Sequence, residues 1–248
     1  MLSAKQFKLT RDKMLTHMDE LVQNHEIATT LYLPAGMSAN EVDSYLKQIP
    51  TIVSISADVS KNIATSKTGV AIFWGQTQKQ LIIPPFPIKD KYLIAGYDIS
   101  PLRALLTNNY IIGVVLVRLG NYSIGICEGE TLILHKTGTG LVHSRHRQGG
   151  SSAARFQRRR KDQTHHFLER VGQHAREMFE PNVKKLDYFI YGGARTTIQQ
   201  LQKQCDFLRQ FDDRLLPPLL EILDPRFNVL EKSVSLIWSS RLVEWSEE

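Results

Sequence analysis

Apolar residues recur along this chain in two rhythms. Met14, Met18, Leu21 and Val22 fall at helical spacing and predict an amphipathic helix over residues 11–24. The β-branched run "IATTLYLPAG" (27–36) predicts a strand stopped by Pro-Ala-Gly. Ser38 followed by Glu41 has the capping-box pattern and opens a second helix. Residues 50–69 predict a short helix, and "GVAIFWG" (69–75) predicts a buried strand bounded by glycines. In "KQLIIPPFPIKDKYLIAG" (79–96), prolines crowd positions 84–87 and predict an extended connection, the first linker region of the chain.

From Ser100 the rhythm changes. Pro101 opens a short helix. Three strands are predicted next, at 110–119, 122–129 and 131–137, with "GNY" and "GET" as turns; together they make an antiparallel meander. A long helix is predicted from near Ser152, because Phe156, Phe167, Leu168, Val171, Ala175, Met178 and Phe179 recur every three or four residues. "LDYFIYGG" (186–193) predicts a central buried strand and 194–211 a helix. Residues 212–223 predict a short helix broken by Pro217 and Pro218, and a last helical stretch runs to Trp245. Strands that cluster and then alternate with helices predict an α/β protein. The expected division is a smaller N-terminal domain over 1–98 and a second domain over 99–248.

Composition changes this picture little. Of 248 residues, 42% are hydrophobic and 23% charged, the balance of an ordinary globular protein. No apolar run approaches a membrane span, and the charged start "MLSAKQFKLTRDKML" argues against a secretory signal. Cys127 and Cys205 make neither a disulfide framework nor a zinc site. A reducing cytoplasm is the expected setting.

Charge changes the picture more. The net charge is only +6, but no Asp or Glu occurs from Thr131 to Lys161. That stretch holds Lys136, Arg145, Arg147, Arg155, Arg158, Arg159, Arg160 and Lys161, with His135, His143 and His146. A solvated face usually mixes signs, so this asymmetry points to a nucleic-acid partner.

Familiar catalytic patterns do not account for it. No GxxxxGK[ST], HExxH or GxSxG occurs, and "KTGTG" (136–140) is too short for a dinucleotide fingerprint. His165 and His166 are adjacent, so on a helix they point about 100° apart and cannot share a metal. His174 reads as a helix-surface or partly buried histidine. Asp187 and Asp224 fall short of the three convergent acids a metal-dependent nuclease needs. No cofactor or metal is expected.

The remaining candidate is the stretch "RHRQGGSSAARFQRRRK" (145–161). Gly149 and Gly150 carry no Cβ, so the backbone there can approach a reacting group closely. Arg145, Arg147, Arg155, Arg158, Arg159, Arg160 and Lys161 can hold phosphates on both sides. Ser151 and Ser152 supply small donors and a helix N-cap near the positive end of the helix dipole. Few apolar anchors lie between His143 and Ala153, so this loop is expected to be mobile.

The segment "HRQGGSSAARFQRRRKDQTHHFLERVGQHAREMF" resembles the GGQ loop and following helix of the class-1 peptide release factors of archaea and eukaryotes. Gly149, Gly150, Ser152, Ala153, Arg155, Phe156, Arg158 and Arg160 stand where that pattern expects them. The likeness extends over most of the chain, strongly in 100–225 and weakly in 1–98, and it is shared with release-factor-like domains of bacteria and of ribosome quality control. It implies a ribonuclease-H-like mixed-sheet middle domain with a projecting basic Gly-Gly loop. It also implies hydrolysis of the peptidyl-tRNA ester on the large ribosomal subunit, with rRNA and peptidyl-tRNA as partners. In that chemistry the loop admits and orients a water, and backbone N–H groups stabilise the oxyanion.

Three departures shape the expectation. The family's Gln position is Ser151, while Gln148 stands just before the glycines. The codon-reading Asn-Ile-Lys-Ser motif is absent, with "KNIATSK" (61–67) only an echo. The third domain, which recruits a GTPase, is not expected in this chain. Gly149, Gly150, Ser151 and Gln148 are therefore the candidate catalytic residues of a codon-independent peptidyl-tRNA hydrolase for stalled ribosomes. The alternative is a factor that binds the ribosome without hydrolysis.

Overall fold

The computed structural model describes residues 4–24, 26–49, 57–142 and 153–245. In chain order the first elements are β1 (Lys5–Leu9), α1 (Arg11–Val22), β2 (Ala28–Leu33), α2 (Ala39–Leu46), α3 (Ala57–Thr65), β3 (Val70–Gly75), β4 (Lys79–Ile83), β5 (Tyr92–Ala95) and α4 (Ser100–Thr107). There follow β6 (Ile111–Arg118), β7 (Asn121–Glu128), β8 (Thr131–Thr139), α5 (Ala153–Phe179), β9 (Tyr188–Gly193), α6 (Arg195–Gln204), α7 (Phe227–Ile237) and β10 (Ser240–Trp245). They form two compact units, one of residues 1–108 with 235–248 and one of 109–234.

The first unit is an antiparallel sheet in the order β1-β10-β4-β3-β2-β5. Its central strands are buried on both faces, which is why "VAIFWG" is a continuous apolar run rather than an alternating one. Tyr32, Ala71, Phe73 and Ile82 pack with Met14, Met18 and Leu21 of α1 and with Leu102 and Leu106 of α4. The intervening residues Leu31, Leu33, Ile72, Trp74 and Leu81 pack on the other face with Leu46 and Val59. The capping box forms as expected: the Ser38 hydroxyl accepts from the Glu41 N–H, and the Glu41 carboxylate accepts from the Ser38 N–H.

Two expectations need correction here. Residues 79–96 are not a linker: they hold β4 and β5, and the prolines fall in the connection between them. Phe86 in that connection is fully buried and meets the Trp238 ring edge-on. The chain's last stretch is helical only to Ile237; Ser240–Trp245 is a strand inserted between β1 and β4. Its alternation explains this, since Leu242 enters one core while Val243 and Trp245 enter the other. β10 and α4 lie in the first unit.

The second unit contains the expected antiparallel meander, β6-β7-β8, with one register shift between β7 and β8 at Ile126/Cys127. β9 pairs parallel to β6 on the far side, giving the mixed sheet β8-β7-β6-β9. One face carries Val115, Val117, Tyr122, Ile124 and Ile126 against Phe167, Leu168, Val171, Ala175 and Phe179 of α5 and Ile198 and Leu201 of α6. From the opposite face, Leu230 of α7 reaches Gly125. Residues 212–223 do not form a helix: a 3-10 segment ends at Arg214, and bridges from Leu215 and Leu220 to Phe189 and Gly192 run along β9. The fold class is the expected α/β one, with a sheet in each unit.

Candidate nucleic-acid interface

The long helix α5 is one element with two surroundings. It has 27 residues, about 40 Å at 1.5 Å per residue. Between Phe167 and Phe179, buried side chains recur at three- and four-residue spacing and lie on the sheet. From Ala154 to His166 no residue is buried. That half is an arm of about 20 Å that contributes no buried side chain to the core; the Gln204 amide of α6 donates to its His165 carbonyl at 2.9 Å.

The sequence-predicted cations of the helix all lie on this arm. Arg155, Arg158, Arg159 and Lys161 are exposed and Arg160 is half-buried. Asp162 is the only acid between Ala154 and His166. At about 100° per residue these five cations leave no sector of the helix wider than about 100° without a positive charge. Phe156, 46% exposed, stands among them. A ring of charge suits a polyanion that surrounds the helix better than one that touches a single face. Arg145, Arg147, Gln148, Gly149, Gly150 and Ser151 lie outside the described residues.

Other sequence candidates find structural tasks. The Asp187 carboxylate accepts from the Ile111 N–H at 2.8 Å and holds the start of β6. Asp224 accepts from the Asn121 amide and pairs with Arg226. His166 lies 3.5 Å from Glu169 on its own helix. Among the described residues no group of three His, Cys, Asp or Glu could hold a metal ion. Nor is any of their helices long and apolar enough to cross a membrane. Both cysteines are free; burial pushes the Cys127 thiol up to about 12.

The sequence reading missed a cluster where β8 meets α5. The Tyr122 hydroxyl lies 2.5 Å from His174 Nδ1. To get there from β7 the tyrosine passes over Gly138 of β8, and a Cβ at that position would collide with its hydroxyl and ring. The Arg170 guanidinium donates to the Thr139 carbonyl at 2.6 Å. Lys136 pairs with Glu177 at 3.2 Å, and the Gln173 amide donates to the same carboxylate at 3.0 Å. Gly140 sits against Phe167 and Arg170, with no room for a Cβ. Burial, reinforced by Lys136, holds the His174 ring below the ordinary histidine range, and burial raises the Tyr122 phenol. The visible signal was "KTGTG": one glycine inside a strand and a second just past its end mark close approach of something else.

The model of the Actinobacteria/chloroflexi VLRF1 release factor family matches residues 111–243, more than half of the chain. The chain belongs to this release factor family. The match includes the meander, the loop segment, α5 and the strand β9. The chain is also similar to peptide chain release factor subunit 1 of Thermococcus kodakarensis, 28% identical over 201 residues, covering 69% of this chain and 48% of that protein. The protein of the same name from Methanococcus maripaludis is 28% identical over 210 residues, covering 72% and 50%. This member of the VLRF1 release factor family therefore spans about half the length of the curated relatives it matches. A solved archaeal translation termination factor, aRF1, is 18% identical, covers 93% of this chain and 73% of its own, and has a TM-score of 0.41.

Proposed function

We propose that this protein works on stalled ribosomes, where it hydrolyses the ester between nascent peptide and tRNA without reading a codon. The observation that carries the reading is the exposed cationic arm of α5 in a member of a release factor family. Five cations around about 20 Å of helix fit insertion among rRNA and tRNA phosphates of the large subunit. In the sequence the arm follows directly on Gly149 and Gly150.

At that tip the work is positioning. A water attacks the ester carbonyl, the bond to the tRNA ribose oxygen breaks, and a proton passes to that oxygen. The backbone N–H of Ser151 suits the developing oxyanion, and it does not depend on the side chain at this position. Gln148 or the Ser151 hydroxyl orients the water. Neither of the two residues on each side of Ser151 carries a base, which favours holding water over nucleophilic attack by the serine.

A second reading is a factor that binds the same complexes and cuts nothing. Ser151 in place of the glutamine of the resembling pattern favours it. Purified ribosomes holding peptidyl-tRNA and an empty acceptor site separate the two. Hydrolysis predicts peptide release that Gly149→Ala/Gly150→Ala lowers by about 100-fold or more. Equal release by both proteins sinks the hydrolase. Tight, salt-sensitive binding with no release by the wild type selects the second reading.

A further inference from the structure

The cluster between β8 and α5 does more than pack. Tyr122 belongs to β7, yet its hydroxyl is spent on α5, across a strand whose glycine makes the passage possible. A phenylalanine would fill the same core without a half-buried polar pair. Arg170 to Thr139, and Lys136 to Glu177, add two more ties between the same strand end and the same helix. All three meet β8 between Lys136 and Thr139, the last residues of the strand before the chain runs on toward the Gly-Gly loop.

We propose that Tyr122 and His174 are positioning residues that fix where the chain leaves the core for that loop, and that proton uptake by His174 loosens their hold. The structural half stands on the contacts above. The functional half, that the hold sets how well the loop works, rests on the proposed release activity.

The proton dependence follows from the surroundings of the ring. With its proton on Nε2, neutral His174 has a lone pair at Nδ1, 2.5 Å from the Tyr122 hydroxyl, and accepts a hydrogen bond from it. Protonated, it has no lone pair there, and Tyr122 can offer only its oxygen. The new charge then faces Lys136 from β8 and Arg170 from its own helix, against the single carboxylate of Glu177. The folded ring therefore takes a proton less readily than a free one, whose ordinary value is 6.5. The closed clamp binds fewer protons than the open one, so it weakens as pH falls below 6.5 toward the depressed folded value.

Amide hydrogen exchange between pH 5 and 8 tests this, with protection of Lys136–Gly140 as the readout and of Leu168–Phe179 as the control for the fold. Wild-type protection at 136–140 should fall about 5- to 10-fold across the histidine transition, the worth of one hydrogen bond. Tyr122→Phe should show that loss already at pH 8 and abolish the pH dependence. His174→Asn, which keeps an acceptor and cannot titrate, should stay protected throughout. If Tyr122→Phe matches the wild type at every pH while the control amides are unchanged, the clamp is overturned. Peptide release is measured beside it. Tyr122→Phe should release more slowly at unchanged ribosome affinity; changed exchange with unchanged release overturns the positioning role alone. A wild type that releases nothing fails the release reading, and the exchange data still decide the clamp.

Discussion

The two halves of α5 share one backbone and nothing else. From Phe167 to Phe179 the helix is held by the sheet, with Phe179 fully buried between Phe189 and Phe211. From Ala154 to His166 no residue is buried, and the Gln204 amide of α6 donates to the His165 carbonyl near the end of that stretch at 2.9 Å. A helix of about this length is marginal alone in water. Core packing and exposed charge are thus written into different turns of one element. Exchange should show the contrast most strongly. Amides of 155–163 should exchange at least about a thousandfold faster than those of 168–178, which open only with the whole unit. Comparable protection in the two halves would break the comparison.

The packed half carries the next largest effect. Phe179→Ala removes a ring that meets Phe189 edge-on at 5.0 Å and Phe211 at 6.0 Å. It should cost about 3–5 kcal/mol in denaturant unfolding. Affinity for ribosomes per folded molecule should not change. A loss below about 1 kcal/mol would mean that the sheet does not depend on this helix.

Most of the second unit was legible because its signals are local. The meander is three strands joined by tight turns, and the packed half of α5 announces itself by spacing. What stayed hidden depends on partners far along the chain. "KQFKL" carries too little apolar pattern to read as a strand; it becomes β1 only because β10 lies beside it. β10 in turn follows a helix directly, and its other partner, β4, lies in what looked like a proline-rich connection. At the candidate site, the cations of the arm were readable as charge without acids, and Arg155 to Lys161 do share one exposed stretch. The Tyr122–His174 contact was not, because nothing in the sequence says that a tyrosine of one strand will cross the next. Gly138 recorded that crossing and Gly140 the approach of Phe167 and Arg170, in a motif too short to be a phosphate loop.

The arm should behave oppositely to the packed half. Replacing Arg155, Arg158, Arg159 and Lys161 together by alanine should leave unfolding of the unit nearly unchanged, since exposed substitutions typically cost within about 0.5 kcal/mol each. The slope of log affinity for ribosomes against log salt should become shallower by about three, and affinity near 0.1 M salt should fall roughly 100-fold. An unchanged slope would remove the polyanion from the interpretation of these cations.

Single substitutions give the smallest effects and the sharpest geometry. Arg155 and Arg159 point to one side of the helix, Arg158 between them and Lys161, and Lys161 roughly opposite, at about 100° per residue. A polyanion lying along one face would engage two of these and ignore the rest. One that surrounds the arm would engage all four. Each single alanine variant should then lower the salt slope by about 0.7–0.9, one phosphate contact apiece. If Lys161→Ala keeps the wild-type slope while Arg155→Ala and Arg159→Ala each lower it, the arm lies on a surface instead of entering one. Its ring of charge would then be a solvated helix with one working side.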